Sequence, residues 1–143
     1  MKREKREIEE ARLDHAIAEA LEVMGIECDY ALKHVYDWGH DGDCDVDADN
    51  YTRVHLTTAM TNASWQYKSA TIRWFMLNVM TSEDERLFAV VVHELVHVLL
   101  NPIDSLITAD DNDKLAAVYG RMNEYVTETL TRVILHAAGT DYP

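Results

Sequence analysis

The stretch FAVVVHELVHVLLNP, residues 88–102, constrains this chain more than any other. It is apolar almost throughout, yet His93, Glu94 and His97 sit at its centre. On a helix, residues four apart share a face, so the two imidazoles can reach one metal ion. Glu94 projects about 100° around the axis from His93 and can stand beside that ion without binding it. Left without an ion or internal partners, three such groups in apolar surroundings would cost about 1–3 kcal/mol each. The arrangement is H-E-x-x-H, in which two histidines hold zinc and the glutamate acts as general base. The apolar surround then fixes the rings and strengthens local electrostatics.

Local signals around this segment predict a helix from about residue 83 to 100. Ser82 and Glu85 have capping-box spacing, Glu83 and Asp84 suit the positive end of the helix dipole, and Asn101-Pro102 is a stop signal. An amphipathic helix is predicted over residues 3–24, with Ile8, Leu13, Ile17, Ala20, Leu21 and Met24 at helical spacing and Gly25 after it. Residues 26–38, 52–60 and 69–80 read as strands, the last from its β-branched and aromatic content. A final helix is predicted over about 112–137, its core stripe formed by Leu115, Tyr119, Met122, Val126, Leu130, Val133 and Ala137, with Gly139 closing it. The acidic run at 41–49 is not a calcium loop. Counted from Asp43 or Asp41, the required glycine falls on Ala48 or Val46 and the required glutamate on Val54 or Thr52. It reads as an extended edge with one wet acidic face.

The chain has 143 residues, 48% of them apolar, which suits one globular domain, 1–143, of α+β class with a short, mostly antiparallel sheet. Thirteen basic residues against 26 acidic ones give a net charge of −13. That argues against nucleic acid or an anionic membrane as partner and permits a basic peptide or protein. Cys28 and Cys44 are too few for a disulfide framework. No apolar segment follows the charged start, and the apolar run Leu87 to Leu100 is short for a bilayer and carries His and Glu. A reducing, cytoplasmic setting is expected.

A catalytic zinc takes a third protein ligand and leaves one position for water. The metzincin extension is absent, since Leu100 and Ile103 stand where Gly and His are needed. The last helix offers Glu124 and Glu128, four apart on one face. Ala117, Gly120, Thr127 and Thr131 flank that face, and their small side chains would admit a second helix. The face lies roughly opposite the Val126 stripe, so the helix should be sandwiched between site and core.

HELVH followed by NEYVTE resembles the gluzincin, or thermolysin-like, pattern of H-E-x-x-H and then N-E-x-x-S-D, over about a fifth of the chain. The spacing between the two segments is nearer to the minimal one-domain gluzincins, and the chain also resembles small zincins of phages and prophages. The resemblance implies a zincin-like fold: N-terminal helix, short sheet, active-site helix, ligand helix. It makes His93, His97 and Glu124 the zinc ligands and Glu94 the base. Glu128 falls where the family has an Asp that accepts a hydrogen bond from a ligand His. In zincins a strand beside the active-site helix binds substrate as an added strand, and TIRWFML, residues 71–77, is placed to serve. The expected function is a Zn2+-dependent metallopeptidase acting on a peptide or protein. The transition-state donor is unassigned, with Arg121, Tyr119, Tyr125 and His136 available. The rival reading is a non-catalytic zinc protein, structural or for assembly and possible in a virus, which a fourth ligand such as Asp104 or Asp110 would favour. A third reading, an acidic binding protein or nucleic-acid mimic, has only the charge behind it.

Overall fold

A computed structural model of the chain describes residues 1–25, 30–39, 57–108 and 113–140. Cys28, Cys44, Asp110 and the acidic run at 41–49 lie outside the described residues, as does the strand reading of residues 52–56. The order of elements is α1 (Arg3–Met24), β1 (Ala31–Asp37), β2 (Ala59–Ser64), β3 (Ser69–Phe75), α2 (Met76–Thr81), α3 (Asp84–Thr108) and α4 (Asp113–Ala137). The class is α+β. Gly25 and Gly139 end α1 and α4 in the left-handed region, at φ 64° and 76°, where a side chain would be strained.

The sheet is mixed rather than mostly antiparallel. Its order is β1-β3-β2, with β1 parallel and β2 antiparallel to the central β3. A short turn at Trp65–Tyr67 and Lys68 folds β2 back along β3, while β1 lies on the other side of β3. Residues 69–80 are a strand only as far as Phe75, and Met76–Thr81 turns into α2. The alternation that marks a strand ends there: Ala70, Ile72 and Trp74 point into the core, whereas Phe75, Met76 and Leu77 are buried in succession.

One apolar cluster joins those β3 side chains to Leu13, Ala16, Ile17 and Ala20 of α1 and to Leu87, Val91, Val92, Leu95 and Val98 of α3. Ile8, expected in the α1 stripe, is exposed. Polar contacts fix α1 over the cluster. Arg12 donates to Asp84 at 2.6 Å, Glu9 at 3.1 Å, the Val79 carbonyl at 3.3 Å and the Ser82 carbonyl. Trp38 Nε1 donates to Glu10 at 2.7 Å, and Tyr36 donates to Asp14.

Two expectations about the long helices are corrected. First, α3 runs on past Asn101-Pro102 to Thr108. Proline removes one backbone hydrogen bond, but the helix continues beyond it, where Asp104 accepts a hydrogen bond from Asn123 of α4 at 3.3 Å. The hydroxyl of Ser82 donates back to the Asn78 carbonyl at 2.8 Å. The segment Asp84–Leu106 is long and apolar enough to cross a membrane by length and composition, and half of it is buried inside the fold.

Second, α4 faces the other way. The residues packed inward are Thr127, Thr131 and Leu135, each nearly inaccessible. Leu115, Met122, Val126, Leu130 and Val133 are exposed, Met122 at 56% and Val133 at 59%. Thr127 and Thr131 are buried on the acidic face of α4, so that face is the packed one and the apolar stripe is left outside; Ala117 and Gly120, expected beside them, are exposed. Met122→Glu and Val133→Glu should therefore change unfolding free energy by no more than about 0.5 kcal/mol, whereas Leu135→Ala should cost about 2–5 kcal/mol. Denaturant titrations giving the reverse order would return the stripe to the core.

His34 of β1 accepts a hydrogen bond at Nδ1 from Trp74 Nε1 at 3.1 Å. Burial lowers its pKa below the usual imidazole value, against a smaller upward pull from Asp14. A lowered folded pKa means that the unfolded chain takes up the proton first. The stability from this group is thus present above about pH 6.5 and lost as pH falls below it. Unfolding free energy should decline from pH 7 to pH 5, and less steeply in His34→Gln. Equal slopes in the two proteins would assign the decline to other groups.

Candidate metal centre

The centre lies where α3 meets β2 on one side and α4 on the other. His93 and His97 are one turn apart on α3, their rings edge to face with centroids 4.7 Å apart. Both are mostly buried, because the turns around them pack Val92, Leu95, Val96 and Val98 into the core. Across from them α4 brings Glu124 and Glu128. His97 Nε2 is 3.1 Å from His93 Nε2 and 3.1 Å from Glu124 Oε1, and His93 Nε2 is 3.6 Å from Glu124 Oε2. One donor atom from each of His93, His97 and Glu124 falls within 4.8 Å of the other two.

These separations can be compared with what an ion requires. Donors bound at about 2.0–2.2 Å in a tetrahedral shell lie about 3.3–3.5 Å from each other. The set therefore fits a divalent ion in both spacing and chemistry, two imidazoles and a carboxylate being a common zinc set. Glu128 sits on the far side of His93, with Oε2 3.3 Å from Nδ1, and also pairs with Arg132 at 3.5 Å. A proton held on Nδ1 toward Glu128 leaves the Nε2 lone pair turned to the other donors. Thr127 and Thr131, buried between the helices, are what let α4 come this close.

Glu94 is separate from this group. It is buried, 7% exposed, and its Oε2 accepts a hydrogen bond from the hydroxyl of Thr61 on β2. It faces a cleft of about 470 Å³ lined by Ala59, Thr61 and Ala63 of β2, by His93, Glu94, His97, Asn101 and Asp104 of α3, and by Asn123 and Glu124 of α4. That size lies within the range of small-ligand sites.

Sequence reasoning missed Thr61, Asn101 and Asn123 as cleft residues. The strand reading of 52–60 stopped one residue short of Thr61, and alternation continued from Ala59 would have put Thr61 on the inward face. Asp104 lines the cleft but takes the side-chain N–H of Asn123 and stands outside the convergent donor group. Arg121, Tyr119, Tyr125 and His136 are not among the cleft residues. The strand expected to take an added strand, residues 71–77, does not edge the cleft. Residues 71–75 belong to β3, which is paired on both sides, whereas the strand beside the cleft is β2.

Comparison with protein-family models, curated proteins and solved structures finds no match of any kind. Function is therefore read from the side chains of this cleft. The donor geometry predicts one zinc per chain by equilibrium dialysis, lost in His97→Ala and strongly reduced in Glu124→Ala. Glu128→Gln should weaken binding about 10–100-fold without abolishing it. Full zinc in Glu124→Ala with loss in Glu128→Ala would exchange the roles of the two acids.

Proposed function

We propose that the chain is a zinc-dependent metallopeptidase of zincin type, a minimal gluzincin in which His93, His97 and Glu124 hold the ion. The observation that carries this reading is the buried carboxylate of Glu94 beside three convergent donors, in a cleft flanked by a strand. When bound, zinc would activate a water and polarise the scissile carbonyl. The chain's own groups do the rest. Glu94 takes the proton from the attacking water and returns it to the leaving nitrogen. Its burial keeps competing water away and strengthens each electrostatic contact. Glu128 holds the His93 ring in the orientation that presents Nε2. Among the described residues β2 is an edge strand, and on this reading it, rather than β3, aligns an extended peptide by main-chain pairing. Partners on this reading are peptides or proteins, with basic ones favoured by the net charge of −13 and with neither nucleic acid nor membrane.

The test is Glu94→Gln. A neutral isostere off the donor face should leave zinc content unchanged, while peptide cleavage falls by at least about 10²–10⁴-fold. Loss of zinc in this variant would make Glu94 a ligand or a structural residue. A zinc-loaded, monodisperse wild type that cleaves nothing in a broad peptide library would favour a non-catalytic zinc protein instead.

A further inference from the structure

On the inward face of β2, Ala59, Thr61 and Ala63 alternate, and the strand packs against α3. Two of the three side chains are methyl groups, which let the helix come close. The third carries a hydroxyl, and that hydroxyl donates to Glu94 Oε2. Thr61 is itself fixed: its residue pairs with Ile72 of the central strand, and a β-branched side chain has little rotamer freedom. A flexible carboxylate on a helix is thus tied to a rigid strand at one of its two oxygens. A valine would fill the same space, so packing alone does not call for a hydroxyl here.

We propose that Thr61 is a positioning residue for Glu94: by holding Oε2, it sets the carboxylate plane so that proton transfer falls to Oε1. The inference rests on the peptidase reading above. The proton passes from the attacking water to Oε1 and from Oε1 to the leaving nitrogen, and Oε2 keeps its hydrogen bond throughout. Thr61 takes no part in the proton movement. Its contribution is that the base stays at one distance from the donor cluster instead of sampling several.

The test compares zinc-loaded wild type, Thr61→Val and Thr61→Ser. All three should hold one zinc per chain. Thr61→Val should lower kcat about 10–100-fold, the usual range for losing a hydrogen bond to a charged group, with KM within about twofold. Thr61→Ser should restore most of the loss, which a packing role would not explain. A readout independent of turnover is the affinity for acetohydroxamate measured calorimetrically, since this chelator presents an N–O–H proton to a carboxylate beside the ion. Thr61→Val should weaken that affinity about tenfold, and should weaken it no further in a Glu94→Ala background. Unchanged kcat and unchanged hydroxamate affinity in Thr61→Val overturn the proposal. A wild type that binds hydroxamate in a Thr61-dependent way but cleaves no peptide overturns the peptidase reading and leaves the Thr61–Glu94 coupling standing. A wild type that binds no zinc removes both.

Discussion

Helix α3 carries two imidazoles and a carboxylate on turns that are otherwise core, and each of those groups needs a partner in a place where water is scarce. An unmet polar group in such surroundings costs about as much as several good contacts provide. The neighbours of α3 are set by this requirement. Strand β2 lies against the helix where it can present Thr61 to Glu94. Helix α4 lies along the other side, where Glu124 and Glu128 reach the two imidazoles. The apolar remainder of α3 is left to pack on α1 and β3.

The same requirement decides a conflict within α4. That helix has two candidate inner faces, an apolar stripe through Met122 and Val126 and a small, polar face through Thr127 and Thr131. Burying the stripe alone would remove more apolar surface from water. It would also carry Glu124 and Glu128 away from α3 and leave the imidazoles without partners. The polar face is the buried one, with Leu135 completing it at the C-terminal end. Met122, Val126 and Val133 on the outward stripe are exposed, and several exposed apolar side chains along one helix are unusual on an isolated domain.

This is also where the sequence misleads. Periodicity correctly marks α4 as a helix and locates its end at Gly139, because both signals are local to the chain. It assigns the wrong face to the interior, because hydrophobicity ranks faces by apolar area and takes no account of unpaired groups on another helix. The His93, Glu94 and His97 cluster was legible because one helix supplies all three at fixed angles. Glu124 was legible only through its spacing from Glu128 and its resemblance to a known pattern, since nothing in a sequence states which two helices meet. Thr61 was legible only as an inward strand position, by alternation from Ala59. A threonine in a strand is ordinary, and the packing of β2 on α3, which brings it to the carboxylate, is not local to the chain. The parallel pairing of β1 with β3 depends in the same way on long-range topology that alternation does not encode.

At Pro102 tertiary packing outweighs a local stop signal, and the longer helix gives the cleft its length. His93, His97, Asn101 and Asp104 are spaced four, four and three apart, so they fall on one face of a continuous α3. Had the helix ended at Asn101, that face would have stopped one turn past the second imidazole. Instead it runs from His93 to Asp104, about 16 Å at the helical rise. Its far end is tied on both sides: the Trp65 backbone N–H donates to Asn101 Oδ1 at 2.9 Å, and Asn123 donates to Asp104. These two bonds tie the far end of this face of α3 to the β2–β3 turn and to α4. An extended chain advances about 3.3 Å per residue, so about five residues span this face. On the proposed reading this face is long enough for a short run of extended backbone, with Glu94 near one end.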